Sequence, residues 1–284
     1  MELNSHEIKV IKKYDLKIST SLDGWKEVHN QNRPSNFVSD PYSATIRNIE
    51  LLRSKKIYPS ALVTITAQSL HNLKLIIDTY VKNGFSSIFL RPLNNYGCAF
   101  RNEKIQYSQE EFLKEYKKAI LYILEINKKG CFIREEYFAI LLRKILTPFN
   151  DGFVDMQNPC ALGRMCMIVT QNGDIFPSDE SRMISEMGDS YWKMGNLNDR
   201  DLFEKINERQ KELSETGTID SINKCKKCVY SPFCYVDPIK NYYIKKYSND
   251  EYCGIKEPLF DFIFGLIYSA TDDEMSIFRR WANV

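Results

Sequence analysis

The stretch Leu16-Lys17-Ile18-Ser19-Thr20-Ser21-Leu22-Asp23-Gly24 sets the fold class of the chain. Its first seven residues have the composition of a β-strand, and Asp23-Gly24 is a turn signal. Two more strands and two amphipathic helices follow in alternation, at residues 42–55, 61–66, 70–82 and 87–91. Strands that alternate with helices of this length indicate βαβ units and a parallel sheet, so we predict an α/β fold.

The sequence changes its character near residue 150. Only three strands can be counted before that point, which is few for a complete α/β domain. Beyond it come short strands around the hairpin signal Asn172-Gly173, a polar helix, a cluster of cysteines and an apolar terminal helix. We place the domain boundary at 150–158, which gives predicted domains at 1–150 and 151–284.

Charge and hydropathy exclude several classes of partner. The 284 residues carry 39 basic and 37 acidic side chains, a net charge of +2, so we expect no general attraction to nucleic acid or anionic lipid. The N-terminus lacks a signal-peptide pattern, and no apolar run reaches the roughly 18–20 residues that span a membrane. We therefore expect a cytoplasmic protein, whose thiols stay reduced and whose clustered cysteines indicate metal rather than disulfides.

Four cysteines near the C-terminus have the spacing of a metal site: Cys225-x2-Cys228-x5-Cys234-x18-Cys253. Two cysteines three residues apart can face one metal, and the other two can complete a set of four thiolates for an iron–sulfur cluster or for zinc. Structural zinc sites usually pair two short C-x2-4-C turns, and only one is present here. The spacing alone leaves iron and zinc open.

The other cysteines are less informative. Cys160-x5-Cys166 precedes Pro177-Ser178-Asp179, and two cysteines cannot by themselves saturate a cluster. Cys98 and Cys131 stand alone, and we interpret both as small buried hydrophobic residues.

The combined pattern C-x5-C…C-x2-C-x5-C…C resembles the SPASM extension of radical S-adenosylmethionine (SAM) enzymes that modify peptides and proteins. In that family eight cysteines hold two auxiliary [4Fe-4S] clusters. The resemblance implies that Cys225, Cys228, Cys234 and Cys253 hold the second of them. For the first, Cys160 and Cys166 match two ligands, but the third position falls on Ser178 and the fourth on Pro238, beside Asp237. That cluster is then absent, or Asp237 substitutes as a ligand, or open iron sites remain.

The N-terminal strand is similar to the fourth barrel strand of the same superfamily. By this resemblance Ser21 and Arg33 hold the carboxylate and ribose of SAM, and the strand end at Leu90 is a further SAM contact. In the sulfatase-maturing branch, the Asp directly after a cluster cysteine deprotonates the substrate. Asp179 stands at that position, where a buried carboxylate could act as a base.

One subgroup matches the chain better than the rest. Residues 87–97, 158–163 and 177–183 resemble the radical SAM maturase of His-Xaa-Ser peptide systems, in which serine at position 178 is usual. Asp237 is the departure from that subgroup, which tends to have a cysteine there.

The C-x3-C-x2-C loop that binds the catalytic cluster of radical SAM enzymes does not occur in the sequence. We therefore expect the C-terminal half of a radical SAM (β/α) barrel followed by a small α+β SPASM iron–sulfur domain. The implied function is the C-terminal portion of a maturase, truncated at the N-terminus and inactive alone. It would act on a ribosomally made peptide or protein, with an upstream polypeptide supplying the missing half of the barrel. The alternatives are a non-catalytic cluster- and peptide-binding remnant or regulator, and a structural zinc protein.

Overall fold

The computed structural model describes residues 4–94, 96, 99–149, 152–247 and 253–284. The chain divides into two compact units. The first unit is drawn from residues 1–93, 104–139 and 270–283, and the second from residues 94–103, 140–269 and 284. The division therefore falls between 139 and 140 and returns the C-terminal helix to the first unit. The boundary predicted at 150–158 stays a prediction, and residues 150 and 151 lie outside the described residues.

The first unit alternates short strands with helices. Its elements are α1 (Ser5–Lys13), β1 (Ser19–Ser21), α2 (Lys26–Asn32), α3 (Pro41–Ser54), β2 (Ser60–Leu62), α4 (Ala67–Leu70), α5 (Leu73–Lys82), β3 (Ser87–Ile88), α6 (Gln109–Lys128), β4 (Arg134–Glu135) and α13 (Asp272–Ala282). Helix α7 (Glu136–Leu146) begins in this unit and ends in the second. The predicted order of strands and helices is confirmed.

The strands pair in parallel, as the predicted βαβ units require. Strand β1 pairs with β2, from Ser19 opposite Ser60, and β3 pairs with β4. Among the described residues these strands form two-stranded sheets and do not close into a barrel. The strands are shorter than the sequence predicts because ladder bonds form only where a partner runs alongside.

Helix α5 shows how the sequence builds this core. Ile76, Ile77 and Tyr80 recur at helical spacing and are fully buried, and the Tyr80 hydroxyl donates to the carbonyl of Leu22, 2.8 Å away, just after β1. Gly24 closes the turn with a φ of +122°, and a Cβ there would lie 3.0 Å from a side-chain carbon of Ile76. Glycine is therefore required for the chain to turn so close to the helix.

The predicted cap of α6 is confirmed. Ser108 accepts from the Glu111 amide at 3.1 Å, and the Glu111 carboxylate accepts from the Ser108 amide at 2.9 Å. At the other end of the chain, α13 buries Trp281 against Phe138, with ring centroids 6.0 Å apart. The Trp281 indole also donates to the side-chain oxygen of Asn127 on α6 at 3.3 Å.

The second unit combines a small antiparallel sheet with helices. Its elements are β5 (Ile168–Val169), β6 (Asp174–Phe176), α8 (Asp179–Glu186), β7 (Gly195–Asn196), α9 (Leu202–Thr216), α10 (Asn223–Lys226), α11 (Pro238–Tyr247) and α12 (Lys256–Ser269). The strand order is β5-β6-β7, and the hairpin predicted at Asn172-Gly173 joins the first two, with a φ of +80° at Gly173.

Two further sequence predictions concern isolated cysteines and membrane segments. Cys131 is exposed, so its prediction as a buried residue is wrong, because the residue lies in the short turn after α6. Cys98 lies outside the described residues. None of the helices in the described ranges has both the length and the apolar character of a membrane span.

Candidate functional site

The four C-terminal cysteines lie around one pocket in the second unit. Cys225 is in the short helix α10, Cys228 follows it, Cys234 comes after a single 3-10 turn, and Cys253 precedes α12. Together they line one pocket, and all four are free thiols. The local turns that carry them are closed by backbone bonds, such as the Cys228 amide donating to the Cys225 carbonyl at 3.1 Å.

The pocket is apolar on its inner side, and burial there raises the pKa of Cys225 and of Cys253. Cys225 packs with Ile219 and Val236 in a small hydrophobic cluster. Burial, together with the neighbouring Cys253 and Cys234, raises the pKa of Cys225 to about 11. Thiols in such surroundings ionise when a metal replaces their protons, so ligand binding here releases protons.

A lysine lines the same pocket. Lys256, the first residue of α12, is only 8% exposed, and its ammonium donates to the carbonyl of Tyr235 at 2.9 Å. It also lies over the Tyr235 ring, 3.8 Å from the centroid. Burial lowers the pKa of Lys256 to about 8, and the nearby Cys234 opposes that shift.

The donor set of the pocket is four thiols. Within the described residues, no three Cys, His, Asp or Glu side chains are placed to hold a single metal ion. Four thiolates on one zinc lie about 2.3 Å from the metal. A four-iron cluster also takes four thiolates, which its own iron and sulfide atoms separate.

Cys160 and Cys166 have different surroundings from the four. Cys160 is buried in the main hydrophobic cluster of the second unit, and its thiol donates to the carbonyl of Val154 at 3.6 Å. Burial raises the pKa of Cys160 to about 12. Cys166 is half-buried, and its carbonyl accepts from the Gly163 amide at 3.0 Å. Neither thiol faces the four-cysteine pocket.

The sequence resemblance to a cluster-binding family lacks cysteines at or beside Ser178 and Asp237, and each of these residues comes directly before a helix. Ser178 caps α8 and accepts from the Ser181 amide at 3.2 Å. Asp237 caps α11, and its Oδ1 accepts from the amides of Ile239 and Lys240 at 2.9 and 3.1 Å. Burial raises the pKa of Asp237 to about 6, although the bond from Lys240 opposes the shift. The role of Asp237 as an iron ligand stays a prediction.

Asp179 is the first residue of α8, and its side chain is 57% exposed. Its Oδ1 accepts from Arg182 at 2.8 Å, one turn along the helix. The sequence prediction assumed a buried carboxylate, and the structure instead has an accessible, ion-paired one. Its role as a base stays a prediction.

A second polar group lies at the carboxyl ends of β1 and β2 in the first unit. Asp23 is fully buried and accepts from Arg33 through Nε at 2.9 Å and Nη2 at 3.2 Å. Its Oδ1 also accepts from the Thr64 amide at 2.9 Å, and Arg33 donates to the Thr64 hydroxyl at 3.2 Å. The guanidinium, 39% exposed, is thus fixed by two neighbouring strands.

The other predicted SAM contacts lie at strand ends as well. Ser21 is the last residue of β1 and is half-buried. Leu90 follows β3, and its amide donates to Oε1 of Glu135, 2.8 Å away, at the end of β4. Burial raises the pKa of Glu135 to about 7, despite hydrogen bonds from the Tyr116 hydroxyl and the Phe138 amide. Ligands bind at the carboxyl ends of parallel strands in barrels and open sheets, so these residues are suitably placed.

The sequence did not reveal three residues that contact the predicted site residues or line their pocket: Asp23, Glu135 and Lys256. Asp23 was interpreted only as part of a turn, although a carboxylate directly after a strand is a signal for a site. Glu135 and Lys256 gave no signal, because their roles depend on partners brought close by the fold.

No protein-family model matches the chain. A cysteine-type anaerobic sulfatase-maturating enzyme of Clostridium perfringens (strain 13 / Type A) is 22% identical over 224 residues, which cover 76% of this chain and 56% of the relative. The enzyme of the same name from Clostridium novyi (strain NT) is 22% identical over 240 residues, 82% of this chain and 60% of the relative. The chain thus spans little more than half the length of these curated relatives.

Solved structures give the fold. Native anSMEcpe with bound AdoMet and the Cp18Cys peptide has a TM-score of 0.71 at 17% identity, covering 99% of this chain and 74% of that one. The same enzyme with AdoMet and the Kp18Cys peptide has a TM-score of 0.68 at 18% identity, with the same coverage. The homologues and structural neighbours of this chain are therefore anaerobic sulfatase-maturating enzymes of the radical SAM/SPASM class, and it has their mixed α/β fold.

Proposed function

We propose that the chain is the C-terminal portion of a radical SAM maturase that modifies a ribosomally made peptide or protein, of the His-Xaa-Ser peptide system type. The observation that carries the proposal is the pocket lined by Cys225, Cys228, Cys234 and Cys253, free thiols in an apolar setting. In this proposal they hold one auxiliary [4Fe-4S] cluster, which supplies electron-transfer chemistry when bound. A structural zinc ion is the less suitable occupant, because structural zinc sites usually pair two short C-x2-4-C turns and this sequence has one.

The strand-end group of the first unit is proposed to contact SAM. The neighbouring enzymes were solved with AdoMet bound, which supports this assignment. Arg33 would contact the carboxylate and ribose from the position that Asp23 and Thr64 give it. Ser21 would add a hydroxyl, and Leu90 would contribute backbone.

The substrate in this proposal is a peptide. Structural neighbours were solved with the Kp18Cys and Cp18Cys peptides bound, which supports a peptide substrate for this chain. Asp179 is proposed as the group that accepts the substrate proton. Its Oδ1 accepts from Arg182, and its side chain is accessible, as a base that meets a substrate must be.

The sequence lacks C-x3-C-x2-C, so we propose that another polypeptide segment supplies the catalytic cluster and the remaining strands. Among the described residues β1 pairs only with β2, which leaves its other edge open, and Leu16 before β1 and Leu62 in β2 are exposed. An outer strand with apolar neighbours invites a further strand, so the chain alone should self-associate. A reducing, cytoplasmic location is part of the proposal.

The decisive experiment is anaerobic purification followed by iron and sulfide analysis and EPR after dithionite. About four irons per chain and a reduced-cluster signal are expected from one [4Fe-4S] site. Stoichiometric zinc without iron would refute the proposal.

A second candidate is a cluster- and peptide-binding protein without SAM cleavage, favoured by the missing C-x3-C-x2-C loop. Added SAM should yield no 5′-deoxyadenosine from this chain alone under either candidate. The two candidate functions are distinguished by adding in trans the polypeptide segment that supplies the catalytic cluster. Only a maturase then forms 5′-deoxyadenosine.

A further inference from the structure

Glu135 is the last residue of β4, and its carboxyl group is fully buried in the first unit. Burying an ionised carboxylate is costly unless hydrogen-bond donors surround it. An apolar side chain would fill the same space without that cost. The contacts of the two carboxylate oxygens therefore indicate what this residue contributes that an apolar residue could not.

The Oε2 atom holds the start of a helix. It accepts from the Phe138 amide at 2.6 Å, in the first turn of α7, and also from the Tyr116 hydroxyl of α6. Glu135 thus stands directly before α7, where a side chain can cap the helix. Aspartate is preferred at such a position and is one methylene shorter than glutamate. Helix capping alone therefore does not explain the longer side chain.

The Oε1 atom holds the end of a strand. The parallel ladder of β3 and β4 ends at Ile88 opposite Glu135, two residues before Leu90. Beyond that ladder, the Leu90 amide donates to Oε1 at 2.8 Å. The extra length of glutamate thus supplies an acceptor that the short ladder does not. It fixes Leu90 at the carboxyl end of β3, where ligands bind in folds of this kind.

The chain just after Leu90 is held in a similar way. The Leu93 amide donates to the Tyr107 hydroxyl at 2.7 Å. A side chain is the acceptor for both amides, and residues 89–93 belong to no strand in the described part of the chain. Side chains, rather than a neighbouring strand, therefore set the position of this backbone.

We propose that Glu135 is a positioning residue for SAM, because its Oε1 holds the Leu90 backbone where that strand end contacts the ligand. This inference rests on the proposed function, which makes Leu90 a SAM contact. Glu135 itself touches no ligand, because it is fully buried. It acts on binding through one hydrogen bond, which a substitution can remove while the helix cap remains.

The test is SAM binding by equilibrium dialysis to the anaerobically purified full chain. It is done at pH 8, because burial raises the pKa of Glu135 to about 7 and the carboxylate is ionised above that value. Glu135→Asp keeps a carboxylate for the cap but is too short to reach the Leu90 amide, so SAM should bind about tenfold more weakly. Glu135→Gln has an acceptor oxygen for only one of the two sides and should weaken SAM binding similarly.

Hydrogen exchange followed by NMR locates the effect within the chain. In Glu135→Asp, the Leu90 amide should exchange about tenfold faster than in the wild type, because it has lost its acceptor. The Phe138 amide should keep its protection, because aspartate still caps α7.

Tyr116→Phe is the matched control. It removes a donor to Oε2 and leaves the bond between Leu90 and Oε1 in place. The protein should become less stable, because a buried carboxylate oxygen loses a partner. SAM binding should nevertheless stay within about threefold of the wild type, since the strand end is still held.

The outcomes separate the inference from the proposed function. A wild-type chain that binds no SAM overturns the proposed SAM contacts together with this inference, whereas a chain without iron overturns the cluster proposal alone. Wild-type affinity in both folded Glu135 variants overturns only the inference. An equal loss of affinity in Tyr116→Phe also overturns it, because Glu135 would then act through the stability of the core. If Glu135→Gln does not fold, Glu135→Asp decides the matter.

Discussion

The second unit contains two cysteine-bearing regions with opposite interiors. Around Cys160 the space is filled by Leu162, Ile184 and Trp192, which pack with it in one hydrophobic cluster. Around Cys225 the four thiols line an open pocket that also contains a buried lysine. Both regions resemble cluster positions of one family by sequence, but among the described residues only the second places four cysteines around one pocket.

The difference teaches that the neighbours of a cysteine decide its chemistry. In the filled region the chain approaches itself at Gly217, where a Cβ would lie 2.7 Å from the Cβ of Cys160 and 2.6 Å from the Leu213 carbonyl oxygen. Ser178 and Asp237, at further positions of the resemblance, cap helices. Because the interior around Cys160 is close-packed, we expect this region to bind no four-iron cluster.

The largest effect should come from cysteine substitutions that compare the two regions. Cys228→Ala should remove nearly all iron from the anaerobically purified protein, because it removes one of the four thiolates proposed to hold the cluster. Cys160→Ala should leave the iron content unchanged and lower the free energy of unfolding by about 1–2 kcal/mol, the usual range for a buried truncation. Iron analysis and urea unfolding measure both. Loss of iron in Cys160→Ala would mean that the filled region binds a cluster.

The close approach at Gly217 can be tested directly. Gly217→Ala should lower the free energy of unfolding by about 3 kcal/mol, because a methyl group there overlaps backbone that cannot yield. The matched control is Gly265→Ala in α12, where nothing lies within 4 Å of the added carbon. That variant should gain up to about 1 kcal/mol from helix propensity. Equal stability of the two variants would contradict the close packing.

Protonation of Asp189 at low pH should lower the free energy of unfolding of the protein. Burial opposes ionisation, but hydrogen bonds from Lys246, Tyr247 and Tyr242 outweigh it and lower the pKa of Asp189 to about 2. The usual value is 3.8, so this carboxylate adds about 2 kcal/mol of stability above pH 4, which is lost as the pH falls toward 2.

Thermal unfolding of metal-free protein between pH 5 and pH 2 measures this effect. Asp189→Asn should remove that part of the pH dependence and leave the rest. An unchanged profile in Asp189→Asn would show that another group governs acid stability.

The smallest effect concerns Asp237. Asp237→Ala should lower the free energy of unfolding by about 1 kcal/mol through loss of the helix cap, whereas Asp237→Asn should cost little, because asparagine caps equally well. Both variants should keep the iron content of the wild type. Iron loss in folded Asp237→Asn would make Asp237 a ligand and remove the contrast between the two regions.

Local signals predicted much of this fold. The capping box at Ser108 and the hairpin at Asn172-Gly173 depend on residues three or four positions apart, so their sequence is sufficient. The four cysteines likewise come together because short turns connect three of them. The alternation of strands and helices along the chain followed from the alternation of strand-like and helix-like hydrophobic patterns.

The sequence did not reveal contacts between distant residues. Asp23 holds both Arg33 and Thr64, which is 41 residues further along the chain. Lys256 was missed because an isolated lysine at a helix start normally faces solvent. Cys131 was predicted to be buried because cysteine usually is, but it is exposed, since burial depends on the neighbours and not on residue type alone.

The return of α13 to the first unit has a consequence for biosynthesis. Trp281 completes a core whose other members, such as Phe138 and Asn127, leave the ribosome more than a hundred residues earlier. The first unit therefore lacks this part of its core until the intervening second unit has been synthesised. In the order of assembly, the first unit is begun before the second and completed after it.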